Sequence, residues 1–147
     1  MEHPEYEQRY ADYAEHLLKF AKQHNLLLEK YDKDACTWSF LFKHPNGGHG
    51  NIGLRIHDTG RVYIGSSYVI DRYDEFRRYI KFGGDDTHDL ARSAANIIRA
   101  LESQLRIMLG WQLTDLQPGK NDHRLSWSMF AKAEFEALND YLPEVIP

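Results

Sequence analysis

From Leu90 to Leu109 apolar residues fall at Leu90, Ala94, Ile97, Ile98, Leu101, Leu105, Met108 and Leu109. That spacing follows the 3.6-residue period of an α-helix, so these side chains form one stripe. Arg92, Arg99, Glu102, Ser103 and Arg106 take the other side. A helix over 88–109 is on the order of 30 Å long, enough to cross a small domain. Asp86 or Thr87 is placed to cap its start, Asp89 lies in its first turn, and Gly110 supplies a stop. So long a stripe has to be buried, and the rest of the chain must offer an apolar surface to receive it.

The segment before it offers one, because there the period changes from 3.6 to 2. Leu26 to Tyr31 reads as a strand and Asp32-Lys33-Asp34 as a tight turn. Trp38, Phe40 and Phe42 then alternate with Ser39, Leu41 and Lys43; Ile52, Leu54 and Ile56 with Gly53, Arg55 and His57; Val62 and Ile64 with Arg61, Tyr63 and Gly65. Ser66 to Ile70 extends the last strand or starts another. The connections, His44 to Gly50 and Asp58-Thr59-Gly60, are rich in turn formers and too short for anything but antiparallel neighbours. The alternation therefore predicts a meander of about four strands with an apolar face for helices to cover. Its other face carries Lys43, Arg55, His57, Arg61 and Tyr63.

Helical spacing recurs elsewhere. Tyr6, Tyr10, Tyr13, Ala14, Leu17, Leu18 and Ala21 share a face, and Asn25 follows as a stop. Tyr73, Phe76, Tyr79 and Ile80 predict a short helix over Asp71 to Phe82, ended by Gly83-Gly84. Ser126 caps a last helix striped by Trp127, Phe130, Ala131, Phe135, Leu138, Tyr141 and Leu142 and closed by Pro143. The expected architecture is a single α+β domain over 1–147: an N-terminal helix, the meander, then three helices, with the 88–109 helix packed on the sheet.

The composition excludes several classes. Cys36 is the only cysteine, so no intramolecular disulfide forms and a secreted disulfide scaffold is excluded. Its neighbours Ala35, Thr37 and Trp38 point to an inert buried thiol. The acidic start has no apolar run of the signal-peptide kind, and no stretch nears ~18 consecutive apolar residues. A reducing cytoplasm is expected, with no membrane. The net charge of −4 is uneven. Residues 35–82 hold seven bases against four acids, between segments in which acids prevail. Such asymmetry steers partners by charge.

Among the eight histidines, His44, His49 and His57 lie close in sequence, but no cysteine or carboxylate completes a ligand pattern, so no metal is expected. Pro45-Asn46-Gly47-Gly48-His49-Gly50 precedes a strand and lacks a following Lys-Ser/Thr, so it is a hairpin connection and not a phosphate-binding loop. His57-Asp58-Thr59 resembles one half of the paired His-x-Thr signature of two-histidine phosphoesterases. The other half is missing, since Asp89 and Leu90 follow His88. That leaves no second imidazole to serve as the opposing acid and base. No catalytic residue and no cofactor are assigned. Arginine and lysine with an aromatic on one sheet face suit anions and stacked bases, while the acidic balance of the whole chain argues against a dedicated nucleic-acid binder. The expectation is a small cytoplasmic, non-catalytic protein that binds another macromolecule, of the inhibitor, immunity, phage counter-defence or chaperone kind. Binding of nucleic acid or a nucleotide through the basic face is the alternative, and a hydrolase of unrecognised type the third.

Overall fold

In a computed structural model, the described residues are 4–30, 37–57, 61–72, 77–83, 86–88, 94–118 and 141–147. The fold is α+β. Helix α1 (Pro4–His24) leads into an antiparallel meander of β1 (Leu27–Lys30), β2 (Thr37–Lys43), β3 (His49–Ile56), β4 (Val62–Arg72) and β5 (Arg77–Phe82). β6 (Asp86–His88), helix α2 (Ala94–Leu109), a 3-10 turn at Leu113–Asp115 and β7 (Gln117–Pro118) follow. β7 pairs with β5 at the sheet edge, and β6 pairs with the first half of β4.

Alternation decides what lies between helices and sheet. Trp38, Phe40, Phe42, Ile52, Leu54, Ile56, Val62 and Ile64 all point inward and are buried. Leu17, Phe20 and Ala21 of α1 and Ile97, Leu101, Leu105 and Met108 of α2 complete the same core. α1 ends as its sequence directs. Asn25 takes a left-handed φ of 55°, its N–H reaches the Lys22 carbonyl at 3.3 Å, and the Leu26 N–H reaches back to Ala21 at 2.8 Å. Those two bonds satisfy helix carbonyls that would otherwise be left without donors.

Several expectations are corrected. The helix expected over Asp71 to Phe82 is replaced by strand at 71–72 and 77–82: β4 runs on to Arg72 and β5 pairs with it from Ser67↔Phe82 to Arg72↔Arg77. The long β4 offers a row of backbone partners, and that ladder outweighs the helical spacing of the aromatic residues. Of the helix expected over 88–109, α2 is described from Ala94 to Leu109, and His88 pairs with Val62 in β6 instead. Asp86 and Thr87 belong to the same strand, so neither caps α2. Gly110 follows α2 without a positive φ; the helix closes instead through Gly110 N–H to Ile107 and Trp111 N–H to Met108, at 3.1 and 3.0 Å. Over residues 13–24 of α1 the buried side chains are Leu17, Phe20, Ala21 and His24, with Leu18 facing solvent. Cys36, the turn at 58–60 and all but the end of the helix expected from Ser126 lie outside the described residues.

The end of the sheet at Lys43 is closed by polar groups. His44 stacks on Tyr68 with ring centroids 3.8 Å apart, and its Nε2 lies 2.8 Å from the Met108 carbonyl at the end of α2. A carbonyl only accepts, so Nε2 carries the proton, and Nδ1 accepts from the Asn46 N–H at 3.2 Å. The Asn46 side chain donates to the Trp111 carbonyl at 2.7 Å, and Gln104 donates to the Ser66 hydroxyl at 2.8 Å. Burial lowers the His44 pKa, opposed in part by its bond to Met108. The Tyr68 hydroxyl is buried without a hydrogen-bond partner among the described residues, and burial pushes its pKa up to about 12. The final residues fasten the same end. Lys43 N–H donates to the Pro143 carbonyl and Asn25 Nδ2 to Glu144, both at 2.8 Å. His24 meets Ile146 twice: its carbonyl accepts the Ile146 N–H at 2.8 Å, and its Nδ1 donates to the Ile146 carbonyl at 2.9 Å.

Candidate binding face on the sheet

Opposite the helices, the outer face of the sheet is laid out in rows set by the register. Thr37, Arg55 and Tyr63 form one row, Ser39, Gly53 and Gly65 the next, and Leu41, Asn51 and Ser67 the third. The fourth holds Lys43, His49, Val69 and Ile80.

Four of the residues singled out in the sequence are gathered at one end of this face. Arg55 stands directly opposite Tyr63. The His57 N–H donates to the Arg61 carbonyl at 2.8 Å, which places His57 and Arg61 on the next step of the same face. Arg61 is thus the diagonal neighbour of Arg55, a separation of about 7–8 Å between such positions. The His57 and Tyr63 rings meet edge to face, 6.0 Å between centroids. Both arginines are exposed, His57 and Tyr63 half-buried. Among the described residues neither guanidinium has a carboxylate within ion-pair distance. Two cations a diagonal apart repel each other, so this end contributes little to folding. The arrangement leaves planar, permanently charged groups ready for bidentate pairing with an anion.

Lys43 does not join them. It shares their face but pairs with His49, in the row farthest from Thr37 and Arg55. Six residues along a strand separate the two rows, about 20 Å. That far row is no solvated polar surface either: Val69 and Ile80 are only 3% exposed and form a second small apolar cluster with Phe82. The histidines close in sequence are likewise dispersed. His44 is committed to Met108 and Asn46, and His49 and His57 lie at opposite ends of β3, some 26 Å apart along the strand. Among the described residues no group of three His, Cys, Asp or Glu side chains is placed to hold a metal ion, and no helix is long and apolar enough to cross a membrane.

The middle row was missed as a feature of the site. Gly53 faces Gly65 across β3 and β4, so two positions of the row next to Arg55 and Tyr63 carry no side chain. Among the described residues the nearest atom to a Cβ at Gly53 is the Gly65 carbonyl oxygen at 4.0 Å. Two glycines, Gly53 and Gly65, at outward-facing positions of the alternation were the available signal. The chain matches no known family model, no curated protein and no solved structure.

Proposed function

We propose that this chain is a non-catalytic binding protein of the cytoplasm, acting as one domain on an acidic protein surface through Arg55, His57, Arg61 and Tyr63. The observation that carries this reading is the pair of exposed arginines that, among the described residues, have no carboxylate partner, set across β3 and the start of β4 beside the Gly53–Gly65 pair. An acidic side chain approaching that end meets two guanidinium forks and a tyrosine, residue types common at the energetic centres of interfaces. Inhibitors, immunity proteins, counter-defence proteins and chaperones act through surfaces of this kind. Lys43, about 20 Å away along the same face, is left out of the proposed contact because it pairs with His49 in another row.

The test is charge reversal. Arg55→Glu combined with Arg61→Glu is expected to leave the fold intact by circular dichroism, with stability within about 0.5 kcal/mol per site. Nuclease-treated extract of the native host passed over immobilised wild-type chain is expected to yield a discrete protein released by moderate salt. The double variant retains it at least about tenfold less. Equal retention removes this face from consideration. A second reading, nucleic-acid binding, is favoured by the His57–Tyr63 ring pair between the arginines, since aromatics beside cations stack bases. Fluorescence anisotropy with a single-stranded oligonucleotide separates the two, because that mode loses affinity steeply with salt.

A further inference from the structure

On the other side of the molecule, α1 and α2 part toward solvent and leave a cleft of about 430 Å³. One stripe of each helix lines it, including His16, Lys19 and Phe20 from α1 and Ile98, Arg99 and Glu102 from α2. Phe20 and Ile98 belong to the core or pack against it, so the floor is apolar. The walls are charged: Lys19 stands on one helix and Arg99 on the other, both exposed. Arg99 donates to Asn96 Oδ1 at 2.7 Å, which leaves most of its donors unused. Among the described residues neither Lys19 nor Arg99 is ion-paired, although Glu102 lines the same cleft.

We infer that this cleft binds a small organic anion, a carboxylate or phosphate carried on a flat apolar body. The volume lies in the range of small-molecule sites, which combine an apolar floor with a few convergent charged groups. Lys19 and Arg99 grip the anionic head from opposite walls, the apolar body rests on Ile98 and the rim of Phe20, and Glu102 repels a head placed at its own end, fixing the orientation. The site is separate from the sheet face, and its fate does not depend on the partner proposed there.

The test is a titration of the isotope-labelled full chain followed by backbone amide chemical shifts. The probes are phenyl phosphate and benzoate, with benzylamine as the control of opposite charge. Saturable shifts confined to 16–23 and 95–102 are expected with an anion, and whichever anion binds more tightly identifies the head group. Lys19→Glu and Arg99→Glu, checked for unchanged spectral dispersion, are expected to weaken binding by about tenfold or more. Glu102→Gln, which removes only the repulsion, is expected to strengthen it. Shifts that are linear and scattered over the surface, equal binding of benzylamine, or undiminished anion binding in Arg99→Glu each overturn the inference.

Discussion

At the Lys43 end of the sheet several buried polar groups are committed to another part of the chain; at the Arg55 end neither arginine is ion-paired among the described residues. His44, Asn46, Ser66 and Gln104 tie β2, β4 and the loop after β2 to α2 and the residues following it. Pro143, Glu144 and Ile146 are tied to Lys43, Asn25 and His24. Buried polar groups of that kind contribute modestly when paired and cost heavily when orphaned, so they fix one arrangement of the chain. Arg55 and Arg61 stay in water, where leaving them unpaired costs nothing. One end of the same sheet thus holds the fold, and the other is free to hold something else.

The apolar core that both ends share sets the upper bound of the comparison. Leu101 is fully buried in the middle of α2. Leu101→Ala is expected to cost about 2–5 kcal/mol in urea unfolding, the range for a truncated core leucine. A loss under about 0.5 kcal/mol would mean that α2 does not clamp the sheet.

That core is also what the sequence disclosed most fully. Alternation through Trp38, Phe42, Ile52 and Ile64 needs only the two-residue period of a strand, and α2 needs only the 3.6-residue stripe. The Arg55, His57, Arg61 and Tyr63 group was legible for the same reason, since parity and a short turn put them on one face. Parity says nothing of position along that face, which is why Lys43 was grouped with residues some 20 Å away. β5 was illegible because its partner, the second half of β4, is a tertiary fact, and the spacing of Tyr73, Phe76, Tyr79 and Ile80 fits a helix equally well. Gln104 lies seven residues after Ile97, on the buried stripe itself. A polar residue there signalled a buried hydrogen bond, but its partner Ser66 could be found only in the fold.

Removing that partner is the next test. Ser66→Ala takes away the oxygen that accepts from Gln104 and leaves a buried amide without an acceptor. The expected cost is about 1–3 kcal/mol, and Ser66→Ala with Gln104→Leu is expected to recover part of it. A cost no greater than that of an exposed serine would show that the closed end is held by apolar packing alone.

Acid offers a gentler lever on the same end. His44 is held neutral by burial, with its pKa below the ordinary value of 6.5. The unfolded chain therefore takes up the proton first as pH falls. The stability contributed by His44 is full above about pH 6.5 and is lost progressively below it. Wild-type urea midpoints at pH 7.5, 6.5 and 5.5 are expected to fall more steeply than those of His44→Gln, so that the gap between the two narrows with acid. Parallel profiles would show that His44 does not titrate on unfolding.

The smallest effect sharpens the contrast most, because it uses two glycines three residues apart on β3. At Gly50, beside the closed end, a Cβ would collide with the Phe42 ring, so Gly50→Ala is expected to cost about 1–3 kcal/mol through overpacking. At Gly53 a Cβ finds, among the described residues, only the Gly65 carbonyl oxygen at ordinary contact distance. Glycine inside a strand is worse than alanine by roughly 0.5–1 kcal/mol, since it loses more backbone freedom on folding. Gly53→Ala is therefore expected to raise stability by up to that amount, read as a shift of the urea midpoint at unchanged slope. A bare position that costs stability is then explained by what must approach it. If the outer face is the contact surface, the stabilised variant binds the partner retained by wild type more weakly, although no charge has changed. Gly53→Ala that loses stability would show instead that the chain itself closes over this row, and the two ends of the sheet would then differ less than their arginines suggest.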